Sequence, residues 1–122
     1  MVKAYKSVAI GDPMAQGTLM GPMHSQQGVR EYLEGLDKIK AQGGRILYGG
    51  KQLPGPGNYV EPTIVEISPD AQIVNEEIFA PIVYVFRFQT LEQAIQYNNG
   101  VPQGLSSALF TKNMQNMFKW VG

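Results

Sequence analysis

The residues in this chain best suited to chemistry lie in the string Asn75-Glu76-Glu77-Ile78-Phe79-Ala80-Pro81. Two carboxylates and an aromatic ring sit directly before an apolar run, and Pro81 biases Ala80 toward an extended backbone. One carboxylate in such a place can accept hydrogen bonds from two vicinal sugar hydroxyls, while the ring packs a flat heterocycle. Taken by itself, Glu76-Glu77 also reads as a solvated acidic pair. Other chemistries are closed off by composition. The chain holds no cysteine and one histidine, His24, which removes thiolate nucleophiles, disulfides, thiolate zinc sites and His-rich metal sites. His24 follows Gly21-Pro22-Met23 just ahead of a helix, where a lone imidazole is most often structural. Fourteen glycines include neither a G-x-G-x-x-G after a strand nor a Walker sequence, so they read as turns. Met14, Met20, Met23, Met114 and Met117 read as packing residues.

Several elements must position these residues. Val2, Tyr5 and Val8 recur at helical spacing from the first residue without a cap, and Gly11-Asp12-Pro13 stops the pattern. From Ser25, a candidate N-cap, Val29, Tyr32, Leu33, Leu36 and Ile39 share one helical face, with Glu34 and Lys38 as an i, i+4 pair outside. Gly43-Gly44 ends that helix. Arg45–Tyr48 is a short strand, a Gly/Pro-rich loop follows, and Tyr59–Ile67 is extended, with Pro62 arguing for an edge or bend. Ile82–Phe88 is a buried strand, Thr90 with Gln93 forms a capping box for a helix through Asn98, and Leu105–Phe110 is a second buried strand. Thr111 then caps a helix bearing Met114, Met117, Phe118 and Val121. The pattern predicts an α/β fold with a parallel βαβ unit at 82–111 flanked by helices.

Ten Lys plus Arg balance ten Asp plus Glu, and hydrophobic residues make up 43% of the 122. The composition is globular, with no electrostatic footprint for nucleic acid and no apolar run long enough to span a membrane. The expected setting is cytoplasmic, with an organellar matrix as the alternative. A chain of this size buries about two thirds of its unfolded surface.

Glu76-Glu77-Ile78-Phe79-Ala80-Pro81 resembles the Glu-Glu-Ile-Phe-Gly-Pro motif of the aldehyde dehydrogenase superfamily. Gly11-Asp12-Pro13, Gly21-Pro22, Gly43-Gly44 with Gly49-Gly50, Asn58-Tyr59-Val60-Glu61-Pro62-Thr63 and Gly104-Leu105-Ser106-Ser107-Ala108-Leu109-Phe110-Thr111-Lys112 resemble the family in order and spacing. Ala80, the run Phe79–Phe86 and Gln103–Ser107 are most similar to the antiquitin branch, which is associated with α-aminoadipate semialdehyde.

The resemblance covers the whole chain and implies an internal segment, 1–122, of one catalytic domain, truncated at both ends. It implies NAD as cofactor, a small-molecule aldehyde as substrate and a homo-oligomer. By residue, it makes Glu77 the carboxylate holding the nicotinamide-ribose hydroxyls and Phe79 the aromatic beside the nicotinamide, and it gives Glu76 no such role. In the family a cysteine thiolate attacks the aldehyde, hydride passes to NAD and activated water releases the acid. With no cysteine here, this segment is expected to contact coenzyme without catalysing alone. The alternative is a non-enzymatic α/β binding or assembly module descended from the enzyme.

Overall fold

The computed structural model describes residues 1–122. The chain divides into two compact units, Met1–Phe86 and Arg87–Gly122.

The first unit is organised by one helix and three strands. After a short helix α1 (Val2–Tyr5) comes α2 (Gln26–Ala41), which starts where Ser25 turns extended and its side chain accepts a hydrogen bond from the Gly28 N–H at 3.1 Å. That bond satisfies one of the donors a helix start leaves open. Val29, Tyr32, Leu36 and Ile39 are buried along one face, whereas Leu33, a step around the helix, is 37% exposed. The helix ends at Gly43, whose φ of +84° is the left-handed conformation glycine adopts without a Cβ penalty. Lys38 does not pair with Glu34. Its ammonium lies 3.7 Å from Glu76, because the approach of the 76–79 segment offers a second carboxylate from outside the helix.

Strands β1 (Arg45–Tyr48), β2 (Thr63–Glu66) and β3 (Ile82–Val85) form a sheet in that order, antiparallel then parallel. Arg45 and Glu66 are cross-strand partners and form an ion pair at the exposed edge. The central strand is β2, with Ile64 and Val65 almost wholly buried. Of the two readings Pro62 left open for 59–67, an edge or a bend, the edge is excluded, because β2 has a strand on each side. Pro62 stands just ahead of the ladder, where its missing N–H costs nothing, and Thr63 opens the strand by donating from its backbone N–H to the Pro81 carbonyl at 2.8 Å. The parallel β2–β3 pair requires a crossover. Residues 67–81 provide it, through a 3₁₀ turn at Gln72–Asn75 that the sequence pattern did not announce. The core gathers Val29, Tyr32, Leu36, Ile39, Val60, Val65, Ile67 and Ile73.

A buried polar knot ties α2 to β2. Thr63 is fully buried. Its Oγ1 accepts the Gly50 N–H at 2.8 Å, lies 2.9 Å from the Tyr32 hydroxyl and donates to the Glu61 carbonyl at 3.1 Å. The Tyr32 hydroxyl also reaches Glu61 O at 3.0 Å. Burial raises the Tyr32 phenol above its ordinary pKa, partly offset by the Thr63 hydrogen bond. Thr63→Val keeps the shape but strands the Gly50 donor, so it is expected to cost about 1–3 kcal/mol; Tyr32→Phe leaves every Thr63 bond but one and should cost about 1 kcal/mol. Urea denaturation of the two variants checks the order. Equal losses would show that the knot is not centred on Thr63.

In the second unit, α3 (Leu91–Asn99) and α4 (Met114–Val121) are the regular elements. Thr90 accepts from Gln93 N at 3.2 Å, as the capping pattern predicts, and Gln93 reaches back to Gln89 N at 2.9 Å. The cap of α4 is Asn113, which accepts from Gln115 N at 2.9 Å. Thr111, the predicted cap, instead accepts from Asn113 N at 3.1 Å, so the cap falls two residues later than expected. Lys119 bonds Glu92 at 2.8 Å and holds that carboxyl below its usual range.

The α/β class holds, but the βαβ unit assigned to 82–111 is corrected. The parallel pair is β2 with β3, and Leu105–Phe110 forms no ladder, with Leu105 fully exposed and Phe110 97% exposed. An apolar run signals burial; it becomes a strand only against a strand edge, and residues 87–122 contain no other strand. Met114, Met117, Phe118 and Val121 are likewise exposed rather than core. They do share one face of α4, as their spacing predicts. No helix is long and apolar enough to cross a membrane.

Candidate functional site

The crossover delivers the Glu76–Pro81 strip to the start of β3 and is pinned at both ends. At one end, Ile73 N–H donates to the side-chain oxygen of Gln42, just past the end of α2, at 2.9 Å. At the other, Pro81 O accepts from Thr63 N. Between these points Ile78 turns inward against the core cluster. Gly35 makes room for it, since a Cβ there would stand 2.7 Å from Ile78 Cδ1 and 3.2 Å from Cγ2. The strip is not a strand: a tight turn centred on Phe79 is closed by the Ala80 N–H donating to Ile78 O at 2.7 Å, and Glu77 and Phe79 border the same open groove. Both are exposed, Phe79 at 77%.

Along the strip lies an open groove of about 500 Å³, lined by every residue from Glu77 to Pro81, Ile78 included, together with Pro22, Met23 and His24. A second groove, about 220 Å³, runs between the strip and α2 past Glu31, Glu34 and Lys38. The structure therefore brings together Glu77 and Phe79, the two residues singled out in the sequence, and adds His24. No periodicity links residue 24 to residue 77. The available signal was local: His24 immediately precedes the N-cap Ser25, a position from which a side chain leaves the helix.

The two adjacent acids differ in their surroundings. Glu76 is engaged by Lys38, and its charge, after burial, helps to push the Tyr84 phenol above its ordinary pKa. The Tyr84 hydroxyl is buried without a hydrogen-bond partner. Glu77 has no ion pair or hydrogen bond from its side chain within the chain. A free, exposed carboxylate two residues from a bare aromatic ring can accept two hydroxyl donors while the ring covers a planar group. An acceptor beside a bare ring face is chemically compatible with a sugar diol that carries a planar heterocycle. No group of three or more His, Cys, Asp or Glu side chains is arranged to hold a metal ion.

Comparison with known proteins defines the class. The aldehyde dehydrogenase family profile matches residues 1–122, and the chain belongs to the aldehyde dehydrogenase family. It is 52% identical to aldehyde dehydrogenase family 7 member A1 of Brassica napus over 100% of its own length and 25% of that protein. It is 48% identical to the α-aminoadipic semialdehyde dehydrogenase of Mus musculus, covering 98% of the chain and 22% of that protein. Among solved structures, the NAD+ complex of the aldehyde dehydrogenase from Bacillus cereus superimposes with a TM-score of 0.90 at 31% identity, covering 98% of this chain and 24% of that one. The chain thus spans about a quarter of the length of these relatives.

Proposed function

We propose that this chain supplies the nicotinamide-ribose side of the coenzyme groove in an NAD-dependent aldehyde dehydrogenase whose substrate is α-aminoadipate semialdehyde. The observation that carries the reading is the pairing of an unengaged Glu77 carboxylate with an exposed Phe79 ring, both bordering one groove along a strip pinned at both ends. In this reading Glu77 accepts hydrogen bonds from both ribose hydroxyls, Phe79 packs beside the nicotinamide, and Ile78 on Gly35 seats the strip that carries both. NAD, when bound, supplies the hydride acceptor. The substrate assignment is supported by the relatives of the α-aminoadipic semialdehyde type.

The test is titration of the chain with nicotinamide mononucleotide, followed by two-dimensional amide NMR. Shift changes are expected to concentrate at Glu77–Phe79. A spectrum unmoved at millimolar nucleotide would sink the coenzyme reading and favour a non-enzymatic module.

A further inference from the structure

We infer that His24 is a third coenzyme ligand in this groove, its imidazole hydrogen-bonding the 5′-phosphate of a nicotinamide nucleotide whose ribose is held by Glu77. The inference rests on the coenzyme reading above and extends it from the nucleoside to the phosphate.

Three chemical parts of such a nucleotide need three kinds of partner: a diol needs acceptors, a planar ring needs an apolar surface, and an anionic phosphate needs a donor. Glu77 can only accept, and Phe79 offers a face. Of the side chains lining the 500 Å³ groove, His24 is the only one carrying an N–H. An imidazole donates through at least one ring nitrogen in either protonation state. A phosphate lying near the Glu77 carboxylate would therefore meet its side-chain donor at His24.

The ring is held ready for this. Met23 N–H donates to Asn58 O at 2.8 Å, and the Met23 side chain packs on the core. Ser25 is fixed as the helix cap. Between them His24 is exposed, with its ring resting on the first turn of α2 at Gly28, where a Cβ would stand 3.1 Å from Cε1 and 3.3 Å from Nδ1. Nε2 is the ring nitrogen farther from that point. Neither nitrogen is hydrogen-bonded within the chain, so the donor remains free for a ligand.

Two probes isolate the phosphate: nicotinamide riboside and nicotinamide mononucleotide, titrated into the full chain and into His24→Ala and Glu77→Gln. The chain should bind the mononucleotide about tenfold more tightly than the riboside, the size of one hydrogen bond to a charged group. His24→Ala, at an exposed position, should reduce that preference to within about twofold without changing riboside affinity. Glu77→Gln should weaken both ligands alike. The imidazole ¹⁵N signals of His24 should move with the mononucleotide and not with the riboside, a response a merely structural histidine would not give. If both ligands shift Glu77 and Phe79 but the phosphate preference survives His24→Ala, or is absent from the unaltered chain, His24 is not the phosphate ligand and the coenzyme reading stands. If neither ligand touches Glu77 and Phe79, both fall together.

Discussion

Purified chain mixed with NAD and an aldehyde is expected to produce no NADH above the rate of buffer. Oxidation of an aldehyde by the family's route requires a nucleophile that forms a covalent adduct before hydride leaves, and a thiolate does this because it is strongly nucleophilic near neutral pH. The 122 residues contain no cysteine. The exposed acids of the two grooves cannot substitute, since a carboxylate adduct to an aldehyde collapses back faster than it can donate hydride. The loss is complete, not partial, because general positioning contributes nothing when the reacting atom is missing. An NADH absorbance assay with contaminant-free protein checks this, and turnover that tracks the chain through two purification schemes would overturn it.

How far the sequence revealed the site depends on the distance over which each signal acts. Helix α2 was legible because its cap, apolar stripe and terminal glycine lie within one stretch: Ser25, Val29 to Ile39, and Gly43 each act on their own turn. The strip 76–81 was legible as a motif, and it is the motif that singles out Glu77 and Phe79. Three things were hidden. The central position of β2 depends on strands on either side, which Pro62 in front of it does not report. The engagement of Glu76 depends on Lys38, whose sequence-local partner would have been Glu34. The approach of His24 to the strip depends on the helix between them, since α2 both starts beside His24 and carries Gly35, the seat of Ile78. Leu105–Phe110 shows the converse limit. Its apolar residues announce a need for cover, but the partner that would make it a strand is a property of other residues.

The last expected result concerns which of the two adjacent acids matters. With this segment grafted into a complete aldehyde dehydrogenase, Glu77→Gln is expected to lower NAD-dependent kcat/KM by about tenfold to a hundredfold, the equivalent of losing a charge-assisted hydrogen bond of about 1.5–3 kcal/mol. Gln preserves size and one acceptor, so the change isolates charge from packing. Glu76→Gln is the control. Its carboxylate sits 3.7 Å from Lys38, with the Lys38 and Glu76 side chains 62% and 45% exposed, a solvent-screened arrangement worth about 0–1 kcal/mol, and its loss should alter turnover by less than about threefold. The two residues are neighbours with the same side chain, so any general effect of removing an acid from the strip would appear in both. What separates them is engagement: Lys38 lies against Glu76, while the Glu77 side chain has no ion pair or hydrogen bond within the chain. Gly35→Ala tests the seat of the strip from beneath, because its Cβ would stand 2.7 Å from Ile78 Cδ1 and force that side chain to shift without altering either acid. It should therefore move coenzyme KM in the same direction as Glu77→Gln and by less. Equal losses for Glu76→Gln and Glu77→Gln, or none for either, would mean that the free carboxylate at Glu77 is not the one that holds the ribose.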